Sequence, residues 1–426
     1  MLDIKFILEN KEKVEEGLKK KGMTNIDVVG LISLYLEINK LKTSSQTKAE
    51  EKNRLSNLIK NAPAEDRQSI IDDSKALGEK IKEEQERLTE FQKRFDDIML
   101  RMPNIPSEKA PVGKSEEENV VVRKWGEPRK FNFEPKDHIE LMDINNWGEM
   151  ERIAKVSGSR TYAIKNELAR LELALHLFVL DKLSDNGFNV INVPSLSKEK
   201  PLYGMGYLPF ASDEIYYLPA DETYLSGTAE LILNSLHADE ILTENDLPVL
   251  YAGFSPCFRR EAGAAGKDTR GLVRVHQFMK TEQFVICKND YAESEKWHLK
   301  LLEISESVLK DLELPYQVLD ICTGDMGAPK YRQYDLEAWV PSQNVYRETH
   351  SCSNITEWQA RRTNLRYRAN EDGKVKFVHT LNNTGIATPR ILVPIMENHQ
   401  EKDGSIRIPE KLRPYMNGKE YIGGRK

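Results

Sequence analysis

The sequence has few cysteines and no strong net charge. Its 426 residues include four cysteines, spaced about thirty residues or more apart with no CxxC pair: Cys257, Cys287, Cys322 and Cys352. This spacing argues against a disulfide scaffold and against a cysteine-rich zinc site, so no zinc is expected. The formal net charge of −6 provides no overall attraction for nucleic acid. Any RNA contact must therefore come from local patches, and DNA is not an expected partner.

Long apolar runs are also missing. No stretch reaches the length needed to span a bilayer, so no membrane contact is expected. The N-terminal stretch MLDIKFILENKEKV is mixed in charge and short in apolar residues, which argues against a signal or transit peptide. We therefore expect a protein of the reducing cytoplasm. Neither a GxGxxG turn nor a P-loop stands where a nucleotide-binding parallel sheet requires one, which argues against a Rossmann fold.

The chain is long enough for two or more domains, and its first quarter has a helical pattern. Two long, charge-rich helices are predicted over residues 27–61 and up to about Leu100, with Pro63 breaking the pattern between them. Such a pair is typical of an antiparallel coiled-coil hairpin. Its seam is almost entirely polar between Thr43 and Arg54, so we expect the pairing to be weakest there. The predicted segments are a helical domain (1–105), a linker with a first strand (106–135) and a second domain (136–426).

The most informative stretch runs from Phe254 to Cys287. Its outer parts alternate like strands, and a Gly/Ala-rich turn from Ala262 to Gly266 lies between them, which indicates a strand, a loop and a strand. Because the planar guanidinium donates two parallel hydrogen bonds and keeps its charge, its arginines suit phosphate. A charged hairpin with a satisfied salt-bridge network explains the short string from Phe258 to Glu261 equally well. The arginines are Arg259, Arg260, Arg270 and Arg274.

Taken whole, this stretch resembles motif 2 of class II aminoacyl-tRNA synthetases, in the form carried by seryl-tRNA synthetases of the bacterial type. The match runs almost without gaps from Phe258 to Phe278, and further matches follow at Tyr334 to Pro341 and at Tyr346 to Asn354. The resemblance implies an α+β fold. An N-terminal antiparallel coiled-coil hairpin precedes a catalytic domain, over residues 136–426, in which helices flank an antiparallel sheet.

The resemblance also implies a nucleotide site. Arg259 is implied to steady the charge that develops at the α-phosphate of ATP, while Arg274 and Arg390 hold the distal phosphates. Phe278 is implied to stack on the adenine, and Glu261 to accept from its amine. The implied ATP-binding residues are Arg259, Arg260, Glu261, Arg274, Val275, Phe278, Glu348, Thr349, His350, Ser351 and Arg390, of which Arg259, Glu348 and Arg390 are catalytic.

Glu348 and Ser351 are the implied metal ligands. They suit Mg²⁺, since hard cations take carboxylate and hydroxyl oxygens beside ATP phosphates. His350 replaces the serine that is usual at this place in the family, and a neutral imidazole there can still donate to a phosphate. The cofactors implied are ATP and Mg²⁺.

Thr228 and Glu230 resemble the family's amino-acid loop. A hydroxyl and a carboxylate two residues apart suit a small polar zwitterion. The same two residues also fit an N-cap and a first-turn acid on a helix over Ala229 to Leu236, and both interpretations can hold together. The serine-binding residues implied by the resemblance are Thr228, Ala229, Glu230, Arg259, Glu282 and Thr384.

Two further segments complete the family pattern. A helix predicted over Arg160 to Leu183, followed by a strand that ends at Pro194, resembles motif 1 and implies a homodimer formed near that proline. A polar turn from Thr380, leading into an apolar helix headed by Arg390, has the geometry of an anion site and resembles motif 3. His138 is a weaker candidate for catalysis, for which a structural role is preferred.

The function implied is ATP-dependent activation of L-serine to seryl-adenylate and its transfer to the 3′ end of tRNA(Ser), with tRNA(Sec) left open as a second acceptor. The hairpin is implied to grip the long variable arm of the tRNA through shape and phosphates. Alone, a coiled coil is more often a dimerisation or spacer element. Two alternatives stay open: a synthetase-like enzyme for another amino acid or acceptor, and a non-catalytic coiled-coil interaction protein of the same fold.

Overall fold

The computed structural model describes residues 1–264 and 270–424, so the turn predicted over Ala262 to Gly266 lies partly outside the described residues. The chain divides into two compact units, Leu2–Met102 and Pro103–Lys426, and Met1 belongs to the second. By this division the second unit begins at Pro103, close to the boundary predicted at residue 105. The segment predicted as a linker, 106–135, is part of the second unit.

The first unit contains the predicted hairpin. Its two long helices pack against each other, and Ala62 and Pro63 separate them, as predicted. Ser44 of one helix contacts Glu84 of the other, whereas Lys42 contacts Gln92, so the two run antiparallel. The helices of this unit are α1 (Ile4–Glu9), α2 (Lys11–Lys20), α3 (Val28–Asn61) and α4 (Ala64–Arg101).

The outer half of the hairpin has a polar seam. Among the described side chains of α3, the buried ones all precede Thr43: Val28, Leu31, Ile38 and Leu41. Farther out, Ser44 Oγ donates to Glu84 Oε1 (2.9 Å), and Lys48 forms an ion pair with the same carboxylate. Ion pairs this close to solvent stabilise by at most about 1 kcal/mol. The helices are therefore held more weakly beyond Thr43, in agreement with the sequence.

The second unit combines one large sheet with helices. Its helices are α5 (His138–Ile144), α6 (Met150–Ser157), α7 (Asn166–Asp185), α8 (Glu199–Met205), α9 (Ala229–Leu236), α10 (Tyr291–Asp311), α11 (Trp358–Thr363) and α12 (Leu392–His399). The strands are β1 (Val120–Trp125), β2 (Asn189–Asn192), β3 (Leu196–Ser197), β4 (Tyr216–Leu218), β5 (Thr223–Leu225), β6 (Ile241–Thr243), β7 (Val249–Phe258), β8 (Gln277–Cys287), β9 (Tyr316–Asp320), β10 (Arg332–Val340), β11 (Val345–Thr356), β12 (Arg366–Arg368), β13 (Val375–Phe377), β14 (His379–Thr388), β15 (Ile406–Arg407) and β16 (Tyr421–Ile422). None of the described helices is both long and apolar enough to cross a membrane.

Eight strands form the main sheet, in the order β1-β9-β10-β11-β14-β8-β7-β2. Neighbouring strands are antiparallel except at the edge, where β2 runs parallel to β7. Antiparallel sheets tolerate one face that is not fully covered by helices, which leaves room for a site. The predicted antiparallel sheet is confirmed.

The two faces of the sheet have different roles. Asn383 Nδ2 and Gln283 Nε2 both donate to Ser305 Oγ of α10 (2.8 Å each), so these side chains point to the helix-covered face. Because side chains alternate along a strand, their neighbours Glu282 and Thr384 point to the opposite side, which we call the front face. Helix α9 packs against β7 and β8 and covers only part of this front face.

Two sequence-based expectations differ from the structure. Helix α7 begins at Asn166 instead of at Arg160, which has a φ of 54° and lies outside the helix. The polar turn predicted from Thr380 is wrong, since this segment is the buried strand β14. Its polar side chains find partners inside the fold, as when Thr380 Oγ1 donates to Gln359 Oε1 (2.7 Å).

Candidate active site

Thr228 stands at the start of α9, on the front face. Its Oγ1 accepts a hydrogen bond from the amide of Glu230 (3.3 Å) and donates to Glu282 Oε2 (3.2 Å). The N-cap interpretation of this residue is therefore confirmed, and its hydroxyl also bonds the Glu282 carboxylate. Gly253, opposite Glu282 on β7, permits the close packing of α9, because a Cβ there would lie 2.7 Å from Leu233 Cδ1.

Glu230 and Glu282 form a pocket of two buried carboxylates. Their exposed fractions are only 7% and 1%. Burial raises the pKa of Glu230 to about 7, and the charge of Glu282 contributes to that rise. Burial also raises the pKa of Glu282. Since each carboxylate disfavours ionisation of the other, the pocket favours a cationic ligand.

Lys280 belongs to this pocket, although the sequence analysis missed it. Its ammonium forms an ion pair with Glu282 and donates to Thr228 Oγ1 (3.3 Å). Lys280 and Glu282 are two residues apart on β8, so they share the front face. That spacing within an alternating strand was the signal available in the sequence.

Strand β14 completes the pocket wall. Thr384 pairs directly with Glu282 across the ladder, and such partners present their side chains on the same face. Two residues earlier, Asn382 Nδ2 donates to Glu230 Oε1 (2.9 Å), and Gln359 Nε2 donates to the same oxygen (2.8 Å). The sequence analysis gave neither amide a role, and both hold the Glu230 carboxylate in place.

Arg259 follows β7 and lies against the ring of Phe278, with its Cζ 5.4 Å from the ring centroid. This geometry is a cation–π contact. The buried Nε of Arg259 has no hydrogen-bond partner in the described structure, which leaves a donor for a ligand. Burial alone would lower the pKa of this guanidinium, but neighbouring groups outweigh that effect and raise it: Tyr207, Cys257, Glu261 and Glu348.

Arg390, from another segment of the chain, lies close to the Glu348 carboxylate. Its Nη1 lies 3.6 Å from Glu348 Oε2, and its Nε donates to the carbonyl of Val273 (3.3 Å). Arg274, the next residue, has Nη1 3.5 Å from Glu261 Oε2. Arg390 therefore lies beside the segment that carries Arg274, and Glu348 faces both Arg390 and the charge of Arg259.

A β-bulge brings Glu348 and Ser351 to one face. In a regular strand, residues three apart point to opposite faces. Here Glu348 pairs with Glu337 and Ser351 pairs with Asp335, so Thr349 is an extra residue in β11. Because Asp335 and Glu337 are two apart, all four side chains lie on the same face.

This group of oxygens fits a hard divalent cation. Burial raises the pKa of Asp335 to about 7, and the charge of Glu348 adds to the rise. Gln333 Nε2 donates to Ser351 Oγ (3.1 Å). Among the described residues, no group of three or more His, Cys, Asp or Glu side chains is close enough to hold a metal by itself. For a Mg²⁺ ion here, water or phosphate oxygens would therefore have to complete the coordination shell.

His350 and Thr349 are engaged inside the fold. His350 is buried, with Nδ1 2.8 Å from Thr349 Oγ1 and Nε2 3.1 Å from the carbonyl of Gly385. Burial lowers the pKa of His350 to about 4, so its ring is neutral. Both ring nitrogens already have partners, so the imidazole lacks the free donor that was expected to reach a phosphate.

Comparisons with known proteins agree across the whole chain. Residues 217–399 match the family described as tRNA synthetase class II core domain (G, H, P, S and T), and residues 1–106 match the Seryl-tRNA synthetase N-terminal domain. The chain is 47% identical over 423 residues to the Serine--tRNA ligase of Deinococcus radiodurans, with 99% of each chain covered. The chain belongs to the seryl-tRNA synthetase family.

Solved structures of this family superpose closely. The crystal structure of seryl-tRNA synthetase from Pyrococcus horikoshii complexed with ATP has a TM-score of 0.89 at 41% identity, with 100% of both chains covered. Cytoplasmic Serine-tRNA ligase from Naegleria fowleri in complex with AMP gives the same TM-score at 29% identity, covering 100% of this chain and 99% of that one.

The predicted family, the α+β fold and the enzyme class, an aminoacyl-tRNA ligase, are therefore confirmed. ATP-dependent attachment of serine to tRNA is the function of this seryl-tRNA synthetase family member.

The remaining predicted residues are each next in sequence to a residue described above. Ala229 is the first residue of α9 and is fully buried, and Val275 is buried beside Arg274. Arg260 is exposed, and its amide donates to the carbonyl of Glu214 (2.9 Å).

The motif 1 segment of this seryl-tRNA synthetase family member has an exposed apolar surface. Leu173 and Leu177 of α7 are 62% and 54% exposed, and Val190 of the edge strand β2 is 51% exposed. Leucines four apart lie on one side of a helix, and α7 packs beside β2. Pro194 follows this strand.

Proposed function

We propose that the front face binds serine in the acid pocket and ATP along the arginines, so that the serine carboxylate attacks the α-phosphate and forms seryl-adenylate. The observation that carries this proposal is the position of Glu348. It faces Arg390 at 3.6 Å, and its charge also acts on Arg259. Guanidinium groups from two distant segments thus act on one carboxylate, and the charge of Arg259 also acts on the buried Glu282, which supports a reaction between an amino acid and a triphosphate.

The serine subsite is built from α9, β8 and β14. Glu230 and Glu282 accept from the ammonium, whose charge offsets the repulsion between the two carboxylates. Thr228 and Thr384 border the same pocket and bond the polar groups of the substrate. A site that bonds a substrate hydroxyl rejects the analogue without it much more strongly than a site that measures volume alone. Ala229 borders the subsite with a small apolar side chain.

The nucleotide subsite extends from Phe278 toward Arg390. The free Nε–H of Arg259 donates to the serine carboxylate or the α-phosphate, where charge develops during the attack. Arg274 and Arg390 hold the distal phosphates. Phe278 stacks on the adenine, and Glu261 accepts from its amine. Arg260, Val275, Thr349 and His350 line this subsite, the last two through their backbone.

Glu348 and Ser351 are the proposed ligands of Mg²⁺. The carboxylate and the hydroxyl are hard oxygen donors on one face of β11, and the pairing of Glu348 with Arg390 links them to the phosphate ligands. When bound with ATP, Mg²⁺ neutralises charge on the phosphates.

The second step uses the tRNA. The 3′-terminal ribose hydroxyl of tRNA(Ser) attacks the seryl-adenylate and releases AMP, and tRNA(Sec) stays open as a further acceptor. We assign the long variable arm of the tRNA to the α3–α4 hairpin, whose length suits recognition of A-form RNA by shape. The exposed leucines of α7 and the edge strand near Pro194 support a homodimer through this surface. The cytoplasm is the proposed location.

Serine-dependent ATP–pyrophosphate exchange tests the proposal. Exchange over a panel of serine, threonine, alanine, glycine and cysteine should be strongest with serine. Thr384→Val keeps the shape of the side chain and removes the hydroxyl, so it should reduce the preference for serine over alanine. A stronger signal with any other amino acid in the wild-type protein would refute the serine subsite.

A further inference from the structure

His138 is buried between the helix that follows Arg390 and the segment that carries Arg274. It is the first residue of α5 and is 4% exposed. Its backbone amide and its Nδ1 both lie 3.1 Å from Glu397 Oε1, and Glu397 is a fully buried residue of α12. The other oxygen of this carboxylate accepts from the amide of Ser342 (3.0 Å), so Glu397 is held by three donors.

The opposite edge of the His138 ring contacts the backbone of the arginine segment. The amide of Leu272 donates to His138 Nε2 (3.4 Å). An amide can only donate, so Nε2 is the unprotonated nitrogen and Nδ1 carries the proton toward Glu397. Gly271 has a φ of 78°, and a Cβ there would lie 2.2 Å from His138 Nε2. The imidazole therefore fills the space beside this turn, which only glycine leaves open.

The segment from Arg390 through helix α12 consequently contacts the segment 271–274 at two points. Two residues before the helix, Arg390 Nε donates to the carbonyl of Val273 (3.3 Å). Within the helix, Glu397 contacts the preceding amide, that of Leu272, through His138. These contacts fix the backbone immediately before Arg274 and fix Arg390 against it. The distance between the two guanidinium groups therefore depends on a histidine that touches neither.

We propose that His138 is a positioning residue for the triphosphate of ATP: its neutral imidazole joins Glu397 to Leu272 and so sets the spacing of Arg274 and Arg390. This inference rests on the proposed role of those arginines as phosphate ligands. The serine pocket is built on α9, β8 and β14, and His138 makes no described hydrogen bond to these elements. Loss of the link should therefore affect ATP much more than serine.

Two substitutions separate the two bonds of the ring. In His138→Asn, the amide can still donate to Glu397 but nothing reaches Leu272. In His138→Gln, the longer amide places its oxygen near the position of Nε2 and can accept from Leu272. Loss of one uncharged hydrogen bond lowers affinity roughly three- to tenfold. We expect His138→Asn to raise the KM for ATP in pyrophosphate exchange by roughly that factor, and the KM for serine by less than about twofold.

His138→Gln should restore the KM for ATP to within about twofold of the wild type. Gly271→Ala, which pushes the ring away from the turn, should reproduce the His138→Asn effect. Equal increases in the KM for ATP in the Asn and Gln variants would overturn the proposal. The proposal would also be overturned by parallel changes in both KM values together with a lower unfolding midpoint, or by failure of His138→Asn to fold. In either case the role of His138 would be only to stabilise the fold.

Arg390→Lys distinguishes failure of this inference from failure of the proposed function. If wild-type exchange requires serine and Arg390→Lys lowers kcat or raises the KM for ATP, the phosphate role of Arg390 is supported, and the His138 variants decide the positioning role. If Arg390→Lys leaves both kcat and the KM for ATP unchanged, the phosphate role of Arg390 is refuted, and the inference about His138 is refuted with it.

Discussion

Glu230 and Glu282 are buried in one pocket, where each carboxylate makes ionisation of the other less favourable. Three donors make the buried negative charge less unfavourable: the amides of Asn382 and Gln359 bond Glu230, and the ammonium of Lys280 pairs with Glu282. The arrangement stores unfavourable electrostatic energy in the absence of substrate. A ligand that brings an ammonium group releases that energy on binding.

Serine binding should weaken as the pH falls below about 7. The ammonium of serine needs the ionised form of Glu230, whose pKa is about 7 in the ligand-free protein. The KM for serine, measured by pyrophosphate exchange at saturating ATP, should rise toward tenfold per pH unit below that value. Glu230→Gln should have a higher KM and a flatter profile. A wild-type KM that does not change between about pH 6 and pH 8 would contradict the assignment of Glu230.

Glu230→Gln should stabilise the ligand-free protein at alkaline pH. The folded pKa of Glu230 is raised from 4.5 to about 7, so its stabilising contribution is complete below about 4.5 and is lost as the pH rises through about 7. At pH 8 the substitution should increase the free energy of unfolding by up to about 3 kcal/mol. Urea denaturation at about pH 5 and pH 8 measures this difference, and the exposed Glu303→Gln of α10 is the matched control.

Arg390→Lys should strongly impair activation of serine. A lysine keeps the charge but loses the planar fork that bonds phosphate oxygens in pairs. Removal of one such preorganised donor typically lowers kcat by roughly a hundredfold. Exchange kinetics with ATP as the varied substrate measure the effect. Arg152→Lys, at an exposed position of α6, should change these values by less than about twofold, and similar losses in both variants would refute a specific role.

Glu348→Gln should raise the Mg²⁺ concentration needed for activity. The amide keeps the shape of the side chain and removes the anionic oxygen that suits a hard cation. We expect the concentration for half-maximal exchange to rise roughly tenfold or more, and chelation of divalent cations to abolish exchange in the wild type. Arg390→Lys, which alters phosphate binding without changing a metal ligand, is the comparison. An unchanged Mg²⁺ requirement in Glu348→Gln would exclude this carboxylate as a ligand.

A shortened hairpin should separate the two steps of the reaction. Lys52 Nζ of α3 lies 3.1 Å from where a Cβ of Gly78 in α4 would be, so a short Gly/Ser turn can replace residues 52–78 where the helices face each other. Exchange with serine and ATP should stay within about twofold, because the pocket is intact. The KM for tRNA(Ser) should rise roughly tenfold or more as phosphate contacts are lost. Unchanged aminoacylation kinetics would refute the proposed role of the hairpin in tRNA recognition.

Features with local signals were predicted well from the sequence. The bounds of α9, Ala229–Leu236, follow from a Thr228 cap and an apolar run, and the hairpin follows from helical spacing and Pro63. A local sequence pattern cannot predict which strands pair when they come from distant parts of the chain. Nothing in the sequence shows that Thr384 lies opposite Glu282. The polar string from Thr380 indicated a turn because buried polar side chains are stable only with partners, and those partners come from distant segments.

Along a regular strand such as most of β11, two side chains lie on the same face when their positions differ by an even number of residues, and on opposite faces when the number is odd. The unpaired Thr349 therefore limits which changes of length this strand can accept. Its deletion would restore a regular ladder and still leave the Glu348 carboxylate and the Ser351 hydroxyl on one side. One more inserted residue would make the separation four, which is again even, but in a regular ladder Ser351 would then lie opposite Gln333 instead of Asp335. Natural variation in this segment should therefore include shortened forms, which keep Ser351 opposite Asp335, more readily than lengthened ones.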